Sequence, residues 1–411
     1  MHPIRAVASL ATSLIVVCAL AWPLPTPFSS DQGAAYAQSK KRIPKKVTPK
    51  ETPKRPELPA RTPFTLEDQA AAGVAGIPDA RAWGDSATDF ARLLPSASGP
   101  WLALSGGGAD GAYGAGLITG WTETGNRPEF TLVSGVSIGA LIAPYAFLGS
   151  RYDEDLRQNF LSITAADVFE DHPTPESLMD TWPLKRLIER RVSAKMLAEI
   201  ATEHRRGRRL LVATTNLDAG RRVIWNMGAI AERGDDKALK LFRDILLASS
   251  SIPGFFPPVA IEVEANGKTF QEMHLDGTVT APFFVAPESM LEPGGAKLPA
   301  SQIYVVMNSK LSPGFEMPER KTVSVLARTI GVALTSGLRA ELMLIVVGAQ
   351  RLGINLNVAH IPNTFQQPMR SLFDQDYMQA LFDFGAEQAR KGTAFERRAA
   401  ATPELRTNAA Q

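Results

Sequence analysis

The chain has 411 residues, 45% of them hydrophobic and 21% charged, with a net charge of +2. That is enough length and apolar content to bury a sizeable core. The charge is uneven: residues 1–63 carry ten Lys/Arg against three acidic residues, and the remainder is net −5. A basic leader on a mildly acidic body argues against a nucleic-acid-binding body.

In chain order, Arg5 precedes an apolar run over residues 6–23, with small-residue exits at Ala19-Leu20-Ala21 and Ala35-Tyr36-Ala37. A charged start, an apolar middle and a small-residue exit read as an export signal over residues 1–37. The expected destination is periplasmic or secreted. The run, about 18 residues long, is also the shortest that spans a bilayer, so an uncleaved anchor is the alternative. The single cysteine, Cys18, lies inside this run. Val17 stands where a lipoprotein box wants a small residue, which counts against lipid attachment there. The body, lacking cysteine, holds neither a disulfide framework nor a cysteine-ligated zinc site.

Residues 38–63 are rich in Lys and Pro and keep no apolar periodicity. Proline blocks helix and like charges extend the chain, so a disordered linker is expected. A single domain over residues 64–392 follows, then a polar, flexible tail at 393–411.

Thr65 is placed to cap the first helix. Buried strands are expected at 101–104, 131–133, 209–215 and 302–307, with a short partner at 222–225. Helices are expected at 111–124, 140–148, 193–204, 237–249, 321–352 and 375–391, and one more opening at Asp180-Thr181-Trp182-Pro183. Asn266-Gly267 between two alternating runs signals a hairpin. Strands alternating with helices indicate an α/β fold, with a mostly parallel central sheet flanked by helices in three layers.

Two glycine-framed turns lie between a strand and a helix. The second, Gly135-Val136-Ser137-Ile138-Gly139, has the G-x-S-x-G spacing of an elbow that exposes a nucleophilic serine. Small neighbours are needed there because the backbone is strained and substrate must approach. The first, from Ser105 through Gly106, Gly107 and Gly108 to Gly111, would offer backbone N–H groups at a helix start, where a negative oxygen can be held. It also fits G-x-G-x-x-G. A dinucleotide fold, however, wants a carboxylate at the end of the next strand, and that strand runs into Gly135-Val136-Ser137 instead. A glycine turn serving packing alone is the remaining alternative.

A serine hydroxyl needs a base. His172 and His204 sit in charged surroundings, and His360 precedes Ile361-Pro362 as a structural residue. His274 and Asp276 share one face of a strand, with Leu275 opposite. Asp276 ends that strand before Gly277. A carboxylate at a strand end faces the ligand side of an α/β sheet, and an Asp-Gly turn is the competing reading.

Together with Ala248-Ser249-Ser250-Ser251-Ile252-Pro253 and Phe256-Pro257-Pro258, these motifs resemble the patatin-like phospholipases in order and spacing. The resemblance covers about residues 64–391 and is strongest over 102–284. It implies a lipid acyl hydrolase with a Ser–Asp dyad and no catalytic histidine. Ser137 would be the nucleophile, Asp276 the base, and Gly106, Gly107, Gly108 and Ile138 the oxyanion hole. Gly111, Gly135, Gly139 and Gly277 would be motif glycines. No metal or cofactor is implied, and the partner would be a lipid or ester at a membrane surface. Three residues depart from the family pattern, the first being Ser105, which stands where Asp is common. Asp110 stands where Arg or Lys is usual and is expected to point to solvent. Thr278 stands where Ala or Gly is usual and is expected to alter the turn. An esterase or acyltransferase on soluble esters, and a weakly active lipid-binding envelope protein, are the competing functions.

Overall fold

The computed structural model describes residues 60–398, apart from 313 and 316. The expected export segment, Cys18, the linker as far as residue 59 and the tail from residue 399 lie outside the described residues.

Ten strands form one sheet: β1 (Arg81–Trp83), β2 (Gly99–Leu104), β3 (Leu132–Val136), β4 (Arg209–Asn216), β5 (Arg221–Asn226), β6 (Val259–Ala265), β7 (Lys268–Asp276), β8 (Ala300–Lys310), β9 (Asn355–Ile361) and β10 (Glu396–Arg398). The spatial order is β1-β5-β4-β3-β2-β8-β9-β10, with the β6–β7 hairpin attached through β7 to β4. The run β4-β3-β2-β8-β9 is parallel, as expected. Its margins are antiparallel, so the sheet is mixed: β5 and β1 on one side, β10 on the other, and the hairpin.

Buried apolar side chains fill both faces of the sheet, and β2 shows why. Leu102 and Leu104 join one apolar cluster, while Trp101 and Ala103 join the other. A central strand covered on both faces therefore reads as a continuous apolar run rather than an alternating one. The helices Gly111–Glu123, Ile138–Leu148, Asp236–Ser249 and Gln375–Arg390 cover the first face. The second half of the long helix Thr322–Leu352 covers the other through Leu338, Leu342, Ile345, Val346 and Ala349. The first helix, Leu66–Ala71, carries the expected cap at Thr65, closed into a capping box by Asp68.

Two domain bounds move outward. Arg61, assigned to the linker by composition, donates to the Gln271 carbonyl and to Asp218, at 2.7 and 2.5 Å from its Nη2. Within the expected tail, Glu396–Arg398 pairs with β9 as β10. Side-chain anchoring at one end and backbone pairing at the other outweigh a polar composition.

Candidate active site

The register of β4 brings the two central residues together. Along one edge of β4, Ala213 pairs with Val136, the last residue of β3. The next residue, Thr214, pairs with Asp276, the last residue of β7. The parallel neighbour stops where the antiparallel one begins. Ser137, one step past β3, therefore meets the end of β7, and its Oγ donates to Asp276 Oδ2 at 2.6 Å.

Ser137 has φ 55° and ψ −125°, in a region that non-glycine residues rarely occupy. Such a conformation costs about 1–3 kcal/mol and persists only when its surroundings fix it. Here the Ser137 N–H donates to Ser249 Oγ at 2.9 Å, and Ser249 Oγ donates onward to the Ala213 carbonyl at 2.8 Å. The flanking glycines are needed for close approach. A Cβ on Gly135 would lie 2.4 Å from the Gly139 carbonyl oxygen, and one on Gly139 would lie 2.4 Å from that of Leu104.

Asp276 is held from every side. Its N–H donates to the Ser251 carbonyl at 2.9 Å, and Thr215 Oγ1 donates to its carbonyl at 3.0 Å. Thr278 donates twice to Oδ1, from its N–H at 2.9 Å and from Oγ1 at 2.8 Å. Oδ2 is left to Ser137. Burial pushes the carboxyl up to about 6, against the lowering effect of the bonds from Ser137 and Thr278. Thr278 thus anchors the carboxylate. Gly277 beside it packs under Ala213, whose carbonyl oxygen would lie 2.5 Å from an added Cβ.

The glycine loop lies against this pair. A Cβ on Gly106 would meet Thr278 Cγ2 at 2.4 Å and Ser137 Cβ at 3.1 Å. Of the four expected oxyanion donors, Gly106 drops out, because its N–H is already bonded to the Pro282 carbonyl at 2.9 Å. The N–H groups of Gly107, Gly108 and Ile138 have no hydrogen-bond partner among the described residues. Gly111 opens the following helix directly against Ile138, 2.3 Å from an added Cβ to Ile138 Cγ1.

Asn308, on β8, fixes the loop, and sequence reasoning missed it. It is fully buried. Its N–H donates to Ser105 Oγ and its Nδ2 to the Ser105 carbonyl, both at 2.8 Å, while Oδ1 accepts from the Gly114 N–H at 3.0 Å. No spacing in the sequence links residue 308 to residue 105; only the parallel pairing of β2 with β8 does.

One further expectation is corrected. Asp110 does not point freely to solvent. It is half-buried, accepts from Tyr377 Oη at 2.6 Å, and burial raises its carboxyl to about 6. A carboxyl held by Tyr377 is turned toward the helix Gln375–Arg390. His274 is fully buried, with Nδ1 2.9 Å from Thr214 Oγ1 and Nε2 3.2 Å from Glu272. Burial pushes its imidazole down. Glu272, despite burial, is held at about 2 by His274 and Arg81. This network also includes Trp225 Nε1, which donates to Thr214 Oγ1 at 2.8 Å. It fastens β1, β4, β5 and β7 together and occupies both ring nitrogens.

Residues 102–287 match the family model described as patatin-like phospholipase. No curated protein matches the chain. Among solved structures, the chain is similar to VipD from Legionella pneumophila, at 13% identity and a TM-score of 0.38, covering 74% of this chain and 68% of that one. The stretch that matches the patatin-like phospholipase model holds the glycine loop, the serine elbow and Asp276 together.

Proposed function

We propose that the protein is a lipid acyl hydrolase that cleaves carboxylic esters through Ser137 and Asp276. The observation that carries this reading is the 2.6 Å bond from Ser137 Oγ to an Asp276 oxygen, with the other oxygen held by Thr278. Asp276 Oδ2 takes the Ser137 proton as Oγ attacks the ester carbonyl. The tetrahedral oxyanion is stabilised by the N–H groups of Gly107, Gly108 and Ile138, each such donor being worth about 3 kcal/mol. Asp276 returns the proton to the leaving alkoxide, which leaves an acyl-Ser137. A water molecule, deprotonated by Asp276, then attacks the acyl carbon, and the proton returns to Ser137 Oγ as the acid departs.

A carboxylate raised to about 6 is a better base than an exposed one and is still mostly ionised at neutral pH. The base works only when ionised, so kcat/KM should rise with pH through an acid limb near 6. Thr278→Val removes one bond that favours the charged carboxylate, which should move that limb upward and lower the rate several-fold at pH 6. A limb that stays near 4 in the wild type would separate Asp276 from the rate.

A further inference from the structure

The long helix Thr322–Leu352 has 31 residues, yet only its second half is anchored. Leu338 is its first buried residue, and Leu338, Leu342, Ile345, Val346 and Ala349 lock that half into the core. The helix ends beside the start of β9, whose Asn355 pairs with Gln302 near the start of β8. From there back to Leu338 the helix rises about 21 Å at 1.5 Å per residue. β8 rises about 20 Å from Gln302 to Asn308. The helix opens after the end of β8, the end of the sheet that carries Asn308 and Ser137, and residues 322–337 make up about 24 Å of it ahead of the anchored half.

Ile330 and Leu334 of this half are half-buried, but other apolar side chains stand exposed. Val325 is 50% exposed, Leu326 42% and Val332 47%. Ahead of the helix, Phe315 is 93% exposed and Met317 81%. Several large apolar side chains exposed close together in the sequence mark an interaction site rather than a solvated face. Between Lys310 and residue 337 the sequence carries four basic residues (Lys310, Arg320, Lys321, Arg328) against two acidic ones. Apolar side chains with an excess of cations suit an anionic lipid surface. By composition the helix is long enough to cross a bilayer. Its second half, however, is committed to the core, and about 24 Å falls short of the roughly 30 Å hydrocarbon layer.

We propose that residues 322–337, with Phe315 and Met317, enter the outer layer of an anionic bilayer and hold the Ser137 edge of the sheet against it. This rests on the lipid-hydrolase reading above and names the surface on which that chemistry takes place. A lipid ester leaving such a surface meets the glycine loop without crossing open water.

The test uses the full chain with vesicles of phosphatidylcholine plus phosphatidylglycerol, and with pure phosphatidylcholine as a second arm. Leu326→Gln/Val332→Gln should weaken partitioning into the mixed vesicles about tenfold and lower turnover of vesicle lipid in proportion. Its hydrolysis of a soluble short-chain ester should stay within about twofold of wild type, since neither residue touches the site. Pure phosphatidylcholine should bind more weakly than the mixture. A Leu326→Trp variant, read as a difference from wild type, should shift its emission to the blue when mixed vesicles are added. Unchanged partitioning of the double variant, or no blue shift, overturns the proposal. So does a lipid-free wild-type dimer that the double variant dissociates, because the face would then serve a second copy. Ser137→Ala should bind vesicles as well as wild type does. Vesicle binding by a wild type that hydrolyses no ester would sink the hydrolase reading while leaving the docking result standing.

Discussion

Ser137→Ala and Asp276→Asn should each lower kcat for ester hydrolysis by at least about a thousandfold, a loss of about 4 kcal/mol of transition-state stabilisation. The double variant should lose little more. Ser137 attacks only as Asp276 takes its proton, so the first deletion already removes the unit. Neither change should unfold the protein. Asp276→Asn removes a buried carboxyl whose charged form burial disfavours, so this variant should melt no lower than wild type at pH 8. The sign follows from linkage. Folding raises this carboxyl to about 6, so the stability its protonated form contributes is present at acid pH and lost as pH rises through 6. His274→Ala is the control. It breaks the network with Glu272 and Thr214, so it should cost stability and leave turnover in the folded fraction. Losses that add in the double variant, or a folded His274→Ala as inactive as Ser137→Ala, would replace the dyad with another arrangement.

Gly107→Ala should lower kcat about a hundredfold or more while leaving KM nearly unchanged. An added Cβ would lie 2.0 Å from the Asn308 carbonyl oxygen and 2.7 Å from its Cβ. Asn308 cannot give way, because three hydrogen bonds hold it to Ser105 and Gly114. The loop must move instead, and the Gly107 and Gly108 N–H groups move with it. Losing one oxyanion donor typically costs 10²–10³ in kcat. Gly108→Ala offers a contrast, since nothing lies within 4 Å of its added Cβ and only its φ of +57° resists the change. It should cost about 1–2 kcal/mol of stability and less activity than Gly107→Ala. Equal rates for Gly107→Ala and wild type, read from single-turnover kinetics, would free the loop of any catalytic role.

Much of the fold was legible because the central strands are short apolar runs. β2, β3, β4 and β8 all lie where the pattern puts them, with ends shifted by a few residues. β9 was not legible. Its asparagines, Asn355 and Asn357, interrupt the apolar run that marks a buried strand, and its role follows from pairing with β8. β1 and β10, three residues each, are too short to carry a period. At the site, Ser137 and Asp276 were legible because strained turns need glycine neighbours, which leave a mark in the sequence. Asn308 and Thr215 act through register across the sheet and leave no local pattern. Gly106 was misread because its N–H goes to Pro282, a bond that depends on the path of a distant loop. The turn of Asp110 toward Tyr377 depends on a helix more than 260 residues away in the chain.

Intact-mass and peptide mass spectrometry after treatment with a serine-reactive fluorophosphonate tests the dyad most directly. The wild type should gain one adduct, on Ser137, at a rate that follows the same acid limb near pH 6 as turnover. Asp276→Asn should label far more slowly, and Ser137→Ala should not label. An adduct on another residue, or ester hydrolysis that persists when Ser137 is fully modified, would contradict the account.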